Sequence, residues 1–467
     1  MKRKNTPPVE LSIALLVAQN IVIHSQPQKH PRNDDIGTPG MIKTAAGFLR
    51  RHSHTNWALA DQAMVSGVTF LTGILLARGL GIAEFGRFSL AWLVVLFVQS
   101  IQENAIIAPL MIIGPKQEVQ QRPAYYGGVF LQQLVLALVS AMLTWACLGF
   151  AGAVFGKGAI ASLAVPVAAA VLLCQTQEFL RRYFFTGQRP AISFLSDAIR
   201  YLGQLTLFFW IFILSKTGID TNQVLWITAG ASAVSALVAF IFVGRLQWAR
   251  SSLWQTAVMN WRFSRWLVGS AIVQWLGGNL FTVAAGALLG VTAVGALKAA
   301  QSLIGVLNIL FQGLENVVPV RAAQRYHTGG AADLFRYLAV VTRVGLAATA
   351  AVGLIFAVDP TFWLRLIFGQ QFVEYGYLLR WFAALYCLTF LAVSVRFALR
   401  AMERTMPIFA AYTVGTLFSL AAAYPLVTAL GLTGVLVGLF SIQLLMLAVM
   451  LVSLRQALVA AEVHRHI

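Results

Sequence analysis

Twelve stretches of about 20 mostly apolar residues follow one another between residues 57 and 454, and a helix needs roughly this length to cross the hydrocarbon core of a bilayer. Only 11% of the 467 residues are charged, whereas soluble domains carry about 25%. The pattern therefore predicts an all-α polytopic membrane protein with about 12 transmembrane helices, and it excludes a soluble enzyme.

We number the stretches span 1 to span 12 along the chain. They cover residues 57–80, 88–113, 126–155, 159–180, 191–214, 222–243, 266–290, 293–320, 337–358, 375–399, 407–430 and 433–454. The apolar stretch 362–372 is too short to cross, so we expect it to lie at the membrane interface.

The distribution of basic residues predicts the orientation. The chain has 34 Lys and Arg against 16 Asp and Glu, a net charge of +18, which in a soluble protein would indicate nucleic-acid binding. Sorted against the spans, 26 of the 34 lie at the termini or in connections on the same side, seven lie on the opposite side, and Arg200 lies within span 5. Because basic residues concentrate on the cytoplasmic side, we expect both termini in the cytoplasm and no nucleic-acid partner.

The first forty residues allow two interpretations. A basic start followed by the apolar run 11–23 is typical of a secretory signal, but no small-x-small cleavage site follows. A cleaved signal would also place Arg50 and Arg51 outside, against the charge distribution. We therefore favour a disordered cytoplasmic extension over residues 1–50, with Met41 as a candidate start.

An internal repeat relates the two halves of the chain at an offset of about 210 residues. Each matched pair falls at the same point of its span. The pairs are Gly81 with Gly290, Gly86 with Gly295, Glu103 with Glu315, and Asn104 with Asn316. Two halves with the same orientation are related by an axis along the membrane normal, and transporters built in this way hold their site between the halves.

The repeat defines the domain organisation that we expect. An N-lobe with six spans covers residues 51–243, and a C-lobe with six spans covers residues 266–455. A cytoplasmic linker, 244–265, joins the lobes, and residues 456–467 form a cytoplasmic tail.

Catalytic patterns are largely missing from the sequence. The seven histidines lie in tails or connections, and the three cysteines lie within spans, where small apolar packing is their expected role. There is no phosphate-binding loop or dinucleotide fingerprint. The outer connections are too short to hold a catalytic domain, which disfavours a membrane-embedded glycosyltransferase or polymerase. We therefore expect a protein that is not an enzyme and binds no metal or cofactor.

Ionisable and amide side chains at membrane depth are the candidate functional residues, since each costs a few kcal/mol if it faces lipid. Three cations are not explained by the cytoplasmic excess of basic residues: Arg78 at the outer end of span 1, Arg200 in span 5 and Lys298 in the outer turn of span 8. The acids are Asp61, Glu103, Asp197 and Glu315, and the amides are Gln102, Asn104 and Asn316. The recurrence of Glu-Asn in both lobes favours a functional role for the two glutamates.

Several of these residues have a structural alternative. Arg78 and Lys298 are either interfacial anchors or cavity cations for an anionic diphosphate. Asp197 and Arg200, three residues apart, can pair either as a lock between helices or as part of a cavity lining. Basic residues at the inner ends of spans 4 and 10 are expected to extend to the cytoplasmic headgroups. These are Arg181, Arg182, Arg396, Arg400 and Arg404.

The first hairpin carries a resemblance to a known family. Residues 77–86, Ala-Arg-Gly-Leu-Gly-Ile-Ala-Glu-Phe-Gly, match the A-R-x-L-G-x-x-x-F-G signature between the first two helices of the polysaccharide-biosynthesis flippases. These flippases belong to the multidrug/oligosaccharidyl-lipid/polysaccharide exporter superfamily. The strong match covers about 60 residues, and Ile82 stands where the family often has Pro. Twelve spans resemble the oligosaccharide-lipid flippases more than the fourteen-helix peptidoglycan-precursor flippases.

The resemblance implies a two-lobed fold like that of the multidrug (MATE) exporters, and transport of a polyprenyl-diphosphate-linked oligosaccharide. The substrate would cross the bacterial inner membrane as an O-antigen or exopolysaccharide unit. Arg78, Arg200 and Lys298 would meet the diphosphate head in a cavity between the lobes, and Asp61, Glu103 or Glu315 would couple to H⁺ or Na⁺. Membrane lipids, a polysaccharide polymerase and export proteins are the further partners implied.

A second function stays open from the same resemblance. A cation-coupled multidrug or organic-cation antiporter of the superfamily would share the two lobes but would need an acidic, aromatic-lined cavity. The acids Glu103 and Glu315 are the residues that support it.

Overall fold

The computed structural model describes residues 53–154, 158–215, 218–247 and 250–463, and every regular element in these ranges is helical. The predicted extension 1–50, with its alternative signal segment and candidate start, lies outside the described residues, as do the last residues of the predicted tail.

The helices cover the predicted apolar spans, but several of them run through two spans. In the N-terminal half they are Ser53–Gln102, Glu103–Ile107 (a π-helix), Ala108–Ile113, Arg122–Val154, Gly158–Ala161, Ala164–Thr186, Pro190–Asp197, Ala198–Leu202 (π), Gly203–Phe209, Trp210–Ser215 (π) and Thr221–Ile241. In the C-terminal half they are Arg250–Leu288, Val291–Ile304, Leu307–Val358, Pro360–Ile367, Gly376–Ala401 and Met406–Val463. Two short 3₁₀ turns, Gly114–Lys116 and Gln370–Tyr375, complete the set.

Seven helices among the described residues are long and apolar enough to cross a membrane. The chain is therefore a multi-pass membrane protein. Three of the helices run for 50, 52 and 58 residues, which at 1.5 Å per residue is more than twice the thickness of the hydrocarbon core. Each of the three is broken by a glycine with non-helical backbone angles, at Gly81, Gly330 and Gly431.

The first turn of each lobe supports the predicted repeat. Gly81 has φ 76° and its counterpart Gly290 has φ 91°, a left-handed backbone that residues with a Cβ rarely adopt. The two lobes therefore begin with the same sharp turn between their first two helices.

Apolar side chains point outward, as a bilayer requires. Met142, Leu237 and Leu420 are 66%, 70% and 56% exposed, a pattern that lipid tolerates and water does not. Polar side chains such as Gln175 and Ser419 are fully buried. The interior is thus richer in polar groups than the surface that faces lipid.

The predicted linker is continuous with span 7 in the helix Arg250–Leu288. Its first turns pack on the N-lobe, because Asn260 accepts a hydrogen bond from the Tyr125 hydroxyl at 3.2 Å and donates one to Gln132 at 2.9 Å. One long helix therefore contacts the N-lobe and also supplies the first crossing of the C-lobe.

The two lobes contact each other at the end that the charge distribution assigns to the outside. A Cβ added to Gly86 would lie 1.8 Å from the Val291 carbonyl oxygen, and one added to Gly295 would lie 2.1 Å from the Ile82 carbonyl oxygen. The Ile82 backbone N–H also donates to Gln371 at 3.2 Å, which places the short segment after span 9 over this contact. The two halves of the chain are therefore in close contact at this end.

Candidate functional site

A cavity of about 270 Å³ lies between spans 1, 2 and 5 of the N-lobe and span 8 of the C-lobe. We call it the interlobe cavity. Arg200 and Lys298, two of the three predicted cavity cations, both line it. The other lining residues are Thr69, Thr72, Gly73, Leu76, Phe85, Phe88, Ser89, Trp92, Leu93, Leu96, Tyr201, Gln204 and Ser302. Among the lining residues that the structure describes, none is an acid.

Local helix geometry places both cations. Arg200 lies in the π-helical turn Ala198–Leu202, which shifts the side chains of span 5 relative to a regular helix. It is 2% exposed, donates to Gln177 Oε1 at 2.5 Å and stacks on the Tyr201 ring at 5.0 Å. Lys298 lies about two turns after the Gly290 turn, and its Nζ donates to Gln301 at 3.0 Å. Neither cation forms an ion pair with a described residue.

An ionic network fills the interior of the N-lobe. Arg181, at the end of span 4, is its centre: its guanidinium nitrogens lie 3.0 Å from Asp61, 2.5 Å from Asp197 and 3.2 Å from Glu178. Arg182 extends the network, at 2.8 Å from Glu178 and 3.5 Å from Glu103. Asp61, Asp197 and Glu103, the acids predicted as functional in this lobe, therefore each pair with Arg181 or Arg182.

The expected headgroup contacts of three arginines are wrong. Arg181 and Arg182 belong to the ionic network, and Arg396 pairs with Glu315. The physical reason is that acids on neighbouring helices offer a stronger partner than the headgroup region. Hydropathy could not reveal this, because Asp61 and Arg181 are 120 residues apart in the chain.

The predicted pairing of Asp197 with Arg200 is also not made directly. Asp197 accepts from Gln177 Nε2 at 2.8 Å, and Arg200 donates to the oxygen of the same amide. Gln177 thus connects the ionic network to the interlobe cavity. In the sequence, Gln177 could have been recognised as a polar amide within the apolar span 4.

Gln102 and Asn104 do not line the interlobe cavity, nor the second cavity described below. Gln102 is buried and donates to Gln133 at 3.0 Å and to the Gln175 backbone at 2.7 Å, while Asn104 donates to the backbone of its own helix. Asn316 lies in the helix Leu307–Val358, but its side chain is outside the described structure.

Arg78 is exposed at the outer end of span 1, where it donates to the Leu366 carbonyl oxygen at 3.4 Å. It does not line the interlobe cavity. The structure thus separates it from Arg200 and Lys298 in this conformation.

A second cavity, of about 360 Å³, lies within the C-lobe, and we call it the C-lobe cavity. Glu315 and Arg396 line it and form an ion pair, and Arg396 also donates to the Tyr412 hydroxyl at 2.7 Å. Its remaining residues are Gln274, Gly277, Gly278, Asn308, Phe311, Gln312, Thr389, Ala392, Val393, Gly415, Ile442, Gln443, Met446 and Met450.

The two Glu–Arg pairs occupy equivalent places in the lobes. Glu103 and Glu315 are 212 residues apart, and Arg182 and Arg396 are 214 apart. Each pair joins the second span of its lobe to the fourth. The repeat that was predicted from short sequence matches therefore extends to a pair of ionic contacts.

Within the described ranges, no group of three or more His, Cys, Asp or Glu residues could hold a metal ion. Cys147, Cys174 and Cys387 are free thiols.

The fold is that of a known superfamily of transporters. No protein family and no curated protein matches the sequence. An inward-facing multidrug resistance MATE family transporter of the MOP superfamily matches with a TM-score of 0.67 at 15% identity, over 85% of this chain and 94% of that one. The lipid II flippase MurJ in an inward closed conformation matches with a TM-score of 0.64 at 11% identity, over 86% and 87%.

A third solved structure is a MOP superfamily transporter from Pyrococcus furiosus Vc1, described as having a binding pocket of reversed polarity. It matches with a TM-score of 0.58 at 14% identity, over 86% of this chain and 95% of that one. These neighbours are transporters and a flippase, and this chain has the fold of the MOP superfamily transporters.

Proposed function

We propose that the chain is a flippase that moves a polyprenyl-diphosphate-linked oligosaccharide across the bacterial inner membrane, with twelve crossings and cytoplasmic termini. The observation that carries the proposal is the charge of the interlobe cavity, which contains Arg200 and Lys298 and has no acid among its described lining residues. A diphosphate is a dense anionic group, and two cations without acidic partners among the described residues offer it charge-assisted hydrogen bonds.

The remaining lining suits the rest of a lipid-linked head group. Hydroxyls of Thr69, Thr72 and Ser302 can exchange hydrogen bonds with phosphate or sugar oxygens, while Phe88 and Trp92 offer apolar contact surface. The lipid tail would stay in the bilayer, because moving only the head across about 30 Å of hydrocarbon removes the main barrier.

Alternating access would follow from the contact between the lobes at one end. Gly86 and Gly295 are in close contact; with this end on the outer side, as the charge distribution predicts, the head group would enter from the cytoplasm. Rocking of the lobes would then open the outer side, where Arg78 is placed to meet the departing head. A ligand that binds one conformation more tightly shifts the population toward it.

Coupling to an ion would act through the acids. Asp61, Asp197, Glu103 and Glu315 each contact an arginine. Protonation or Na⁺ occupancy of any one of them would release that arginine, and this would change the contacts between helices from one conformation to the other.

The alternative, an antiporter of organic cations, has one observation in its favour. Phe85, Phe88, Trp92 and Tyr201 line the interlobe cavity, and aromatic rings bind cations through their faces. The two basic residues in the same cavity would repel such a substrate. The acids that could attract it are paired with arginines. Fold neighbours of both kinds exist, so the charge of the cavity is what favours the flippase.

Reconstitution in liposomes tests the choice. Lipid-linked oligosaccharide extracted from cells that carry the chain should cross the bilayer with the wild type. Lys298→Ala should slow its crossing about tenfold, the loss expected for one charge-assisted hydrogen bond. Lys298→Arg should retain most of the activity, and Arg365→Ala, an exposed outer cation outside the cavity, should retain all of it. Uptake of ethidium without any movement of lipid-linked oligosaccharide would establish the antiporter instead.

A further inference from the structure

The C-lobe cavity contains amides that no described residue satisfies. The side chains of Gln274, Gln312 and Gln443 line it and form no hydrogen bond within the described ranges, whereas Asn308 donates to the Tyr386 hydroxyl at 3.4 Å. Each free amide offers two donors and one acceptor oxygen to whatever occupies the cavity.

The charge of the C-lobe cavity is balanced. Among the described lining residues, the charged ones are Glu315 and Arg396, and they pair with each other. A site without net charge gains little from binding an ion. The free donors and acceptors therefore favour a ligand that is polar and uncharged, in contrast to the cationic interlobe cavity.

The remaining walls provide apolar surface beside the polar groups. The Phe311 ring packs tilted against Phe390, with centroids 5.4 Å apart, and Met446 and Met450 of the helix Met406–Val463 also line the cavity. The volume of about 360 Å³ falls within the range of small-molecule sites, about 300–1,000 Å³. A ligand with hydroxyls at its edges and C–H groups on its faces would contact both kinds of surface.

We propose that the C-lobe cavity is a glycan-binding subsite that takes an uncharged sugar through its free amides. The inference rests on the proposed function, since it assigns the sugar part of the lipid-linked substrate to a place separate from the diphosphate. Vicinal sugar hydroxyls both donate and accept, and a carboxamide matches this pattern with one side chain.

Span 8 connects the two cavities. Lys298 and Ser302 face the interlobe cavity, and Asn308 and Gln312 face the C-lobe cavity. The span is interrupted between Ile304 and Leu307, and each of its two helices, Val291–Ile304 and Leu307–Val358, supplies residues to one of the cavities. The proposal places the diphosphate at Lys298 and the attached sugars at Asn308 and Gln312, further along the same span.

The test uses the full chain in lipid nanodiscs and two probes. One is the free glycan released by mild acid from the polyprenyl-diphosphate lipids of cells that carry the chain, and the other is inorganic pyrophosphate. Binding of each is measured by ligand-observed NMR titration. The variants are Gln312→Leu in the C-lobe cavity, Lys298→Ala in the interlobe cavity, and Gln324→Leu as a control on the same helix outside both. Gln312 and Gln324 are both exposed, so neither substitution removes a buried contact.

Each of the two cavity variants should weaken the binding of one probe and leave the other unchanged. Gln312→Leu should raise the Kd of the glycan about tenfold, as expected when an amide loses two hydrogen bonds, and should leave pyrophosphate unchanged. Lys298→Ala should weaken only pyrophosphate, and Gln324→Leu should change neither.

The failures of the two proposals differ. Absence of glycan binding, or glycan binding that Gln312→Leu leaves intact, would overturn the subsite. If Lys298→Ala still weakened pyrophosphate, the proposed function would survive that result. Glycan binding with the expected dependence on Gln312, together with pyrophosphate binding insensitive to Lys298, would overturn the head-group site and keep the subsite.

Discussion

The N-lobe and the C-lobe share a repeat but use their polar interiors differently. In the N-lobe, Arg181 gathers Asp61, Asp197 and Glu178 into one network. In the C-lobe, Glu315 and Arg396 form a single pair beside a cavity. Arg182 and Arg396 occupy equivalent positions, so one Glu–Arg contact is common to the two arrangements.

This difference indicates a division of work between the lobes. Polar groups that satisfy each other hold helices in place, because separating them would leave charges buried without partners. Polar groups that line a cavity without partners remain free for a ligand. On the two proposals above, the N-lobe network would hold its helices together until an acid is protonated or binds an ion, and the C-lobe cavity would bind the ligand.

Removing the centre of the ionic network should produce the largest effect. Arg181→Met leaves Asp61 and Asp197, which are 1% and 0% exposed, buried without their cation. Breaking one side of a buried ionic contact costs about 3–5 kcal/mol. We expect a large fall in folded protein and in the Tm measured by fluorescence-detected unfolding in detergent.

Two further variants make this prediction specific. Arg400→Met, at an exposed arginine that forms no ion pair with a described residue, should fold as the wild type does. Adding Asp61→Asn and Asp197→Asn to Arg181→Met should recover much of the loss, because the uncompensated charges are then gone. Equal stability of Arg181→Met and Arg400→Met would show that the network does not hold the N-lobe together.

The outer end should respond symmetrically, unlike the interior. Gly86→Ala and Gly295→Ala each place a Cβ within about 2 Å of a carbonyl oxygen of the facing lobe, and overpacking of this kind costs about 1–3 kcal/mol. Both variants should therefore open the outer side. Spin labels at Ala83 and Gln370, in a cysteine-free background, should move apart in both.

Gly67→Ala is the matched control, because a Cβ at Gly67 meets no heavy atom within 4 Å. Its label distance should equal that of the wild type. A change in only one of the two glycine variants would mean that the outer contact is not shared equally between the lobes.

The sequence predicted the parts of the fold that depend on local properties. Apolar length located the helices, and the matched glycines Gly81 and Gly290 located the same turn in both lobes. Charge at membrane depth also selected Arg200 and Lys298, which both line the interlobe cavity. A tight turn limits the residue type wherever it occurs, which is why matched glycines could locate both turns. The functional role of the two cations stays a prediction.

Contacts between distant spans could not be predicted in this way. Arg181 and Arg396 lie near the inner ends of their helices, where headgroup contact is the default expectation. Their actual partners depend on which helices are neighbours and on how each is rotated. The π-helical turns at Glu103 and Arg200 change that rotation, and neither hydropathy nor charge pattern predicts such turns. The amides of the C-lobe cavity were missed for the same reason.

The smallest effect is expected when the glutamate of either Glu–Arg pair is replaced. Because the two pairs are equivalent, these variants compare the lobes directly. In Glu315→Gln, Arg396 loses its only acidic partner among the described residues and keeps the Tyr412 hydroxyl. In Glu103→Gln, Arg182 keeps Glu178 at 2.8 Å, and the lost contact is 3.5 Å long with Glu103 45% exposed. Solvent screens the second pair more strongly, so its loss should cost about 0–0.5 kcal/mol, against about 1 kcal/mol for Glu315→Gln.

Thermal unfolding of both variants at low and high salt measures this difference. Glu315→Gln should lower the Tm more than Glu103→Gln. High salt should reduce the difference in Tm between the two variants, because screening weakens the wild-type Glu315–Arg396 pair that Glu315→Gln lacks. A larger loss in Glu103→Gln would assign the stabilising contact to the N-lobe pair. In that case Glu178 would not compensate for the loss of Glu103, although both contact Arg182. The N-lobe would then be more sensitive than the C-lobe to losing its glutamate.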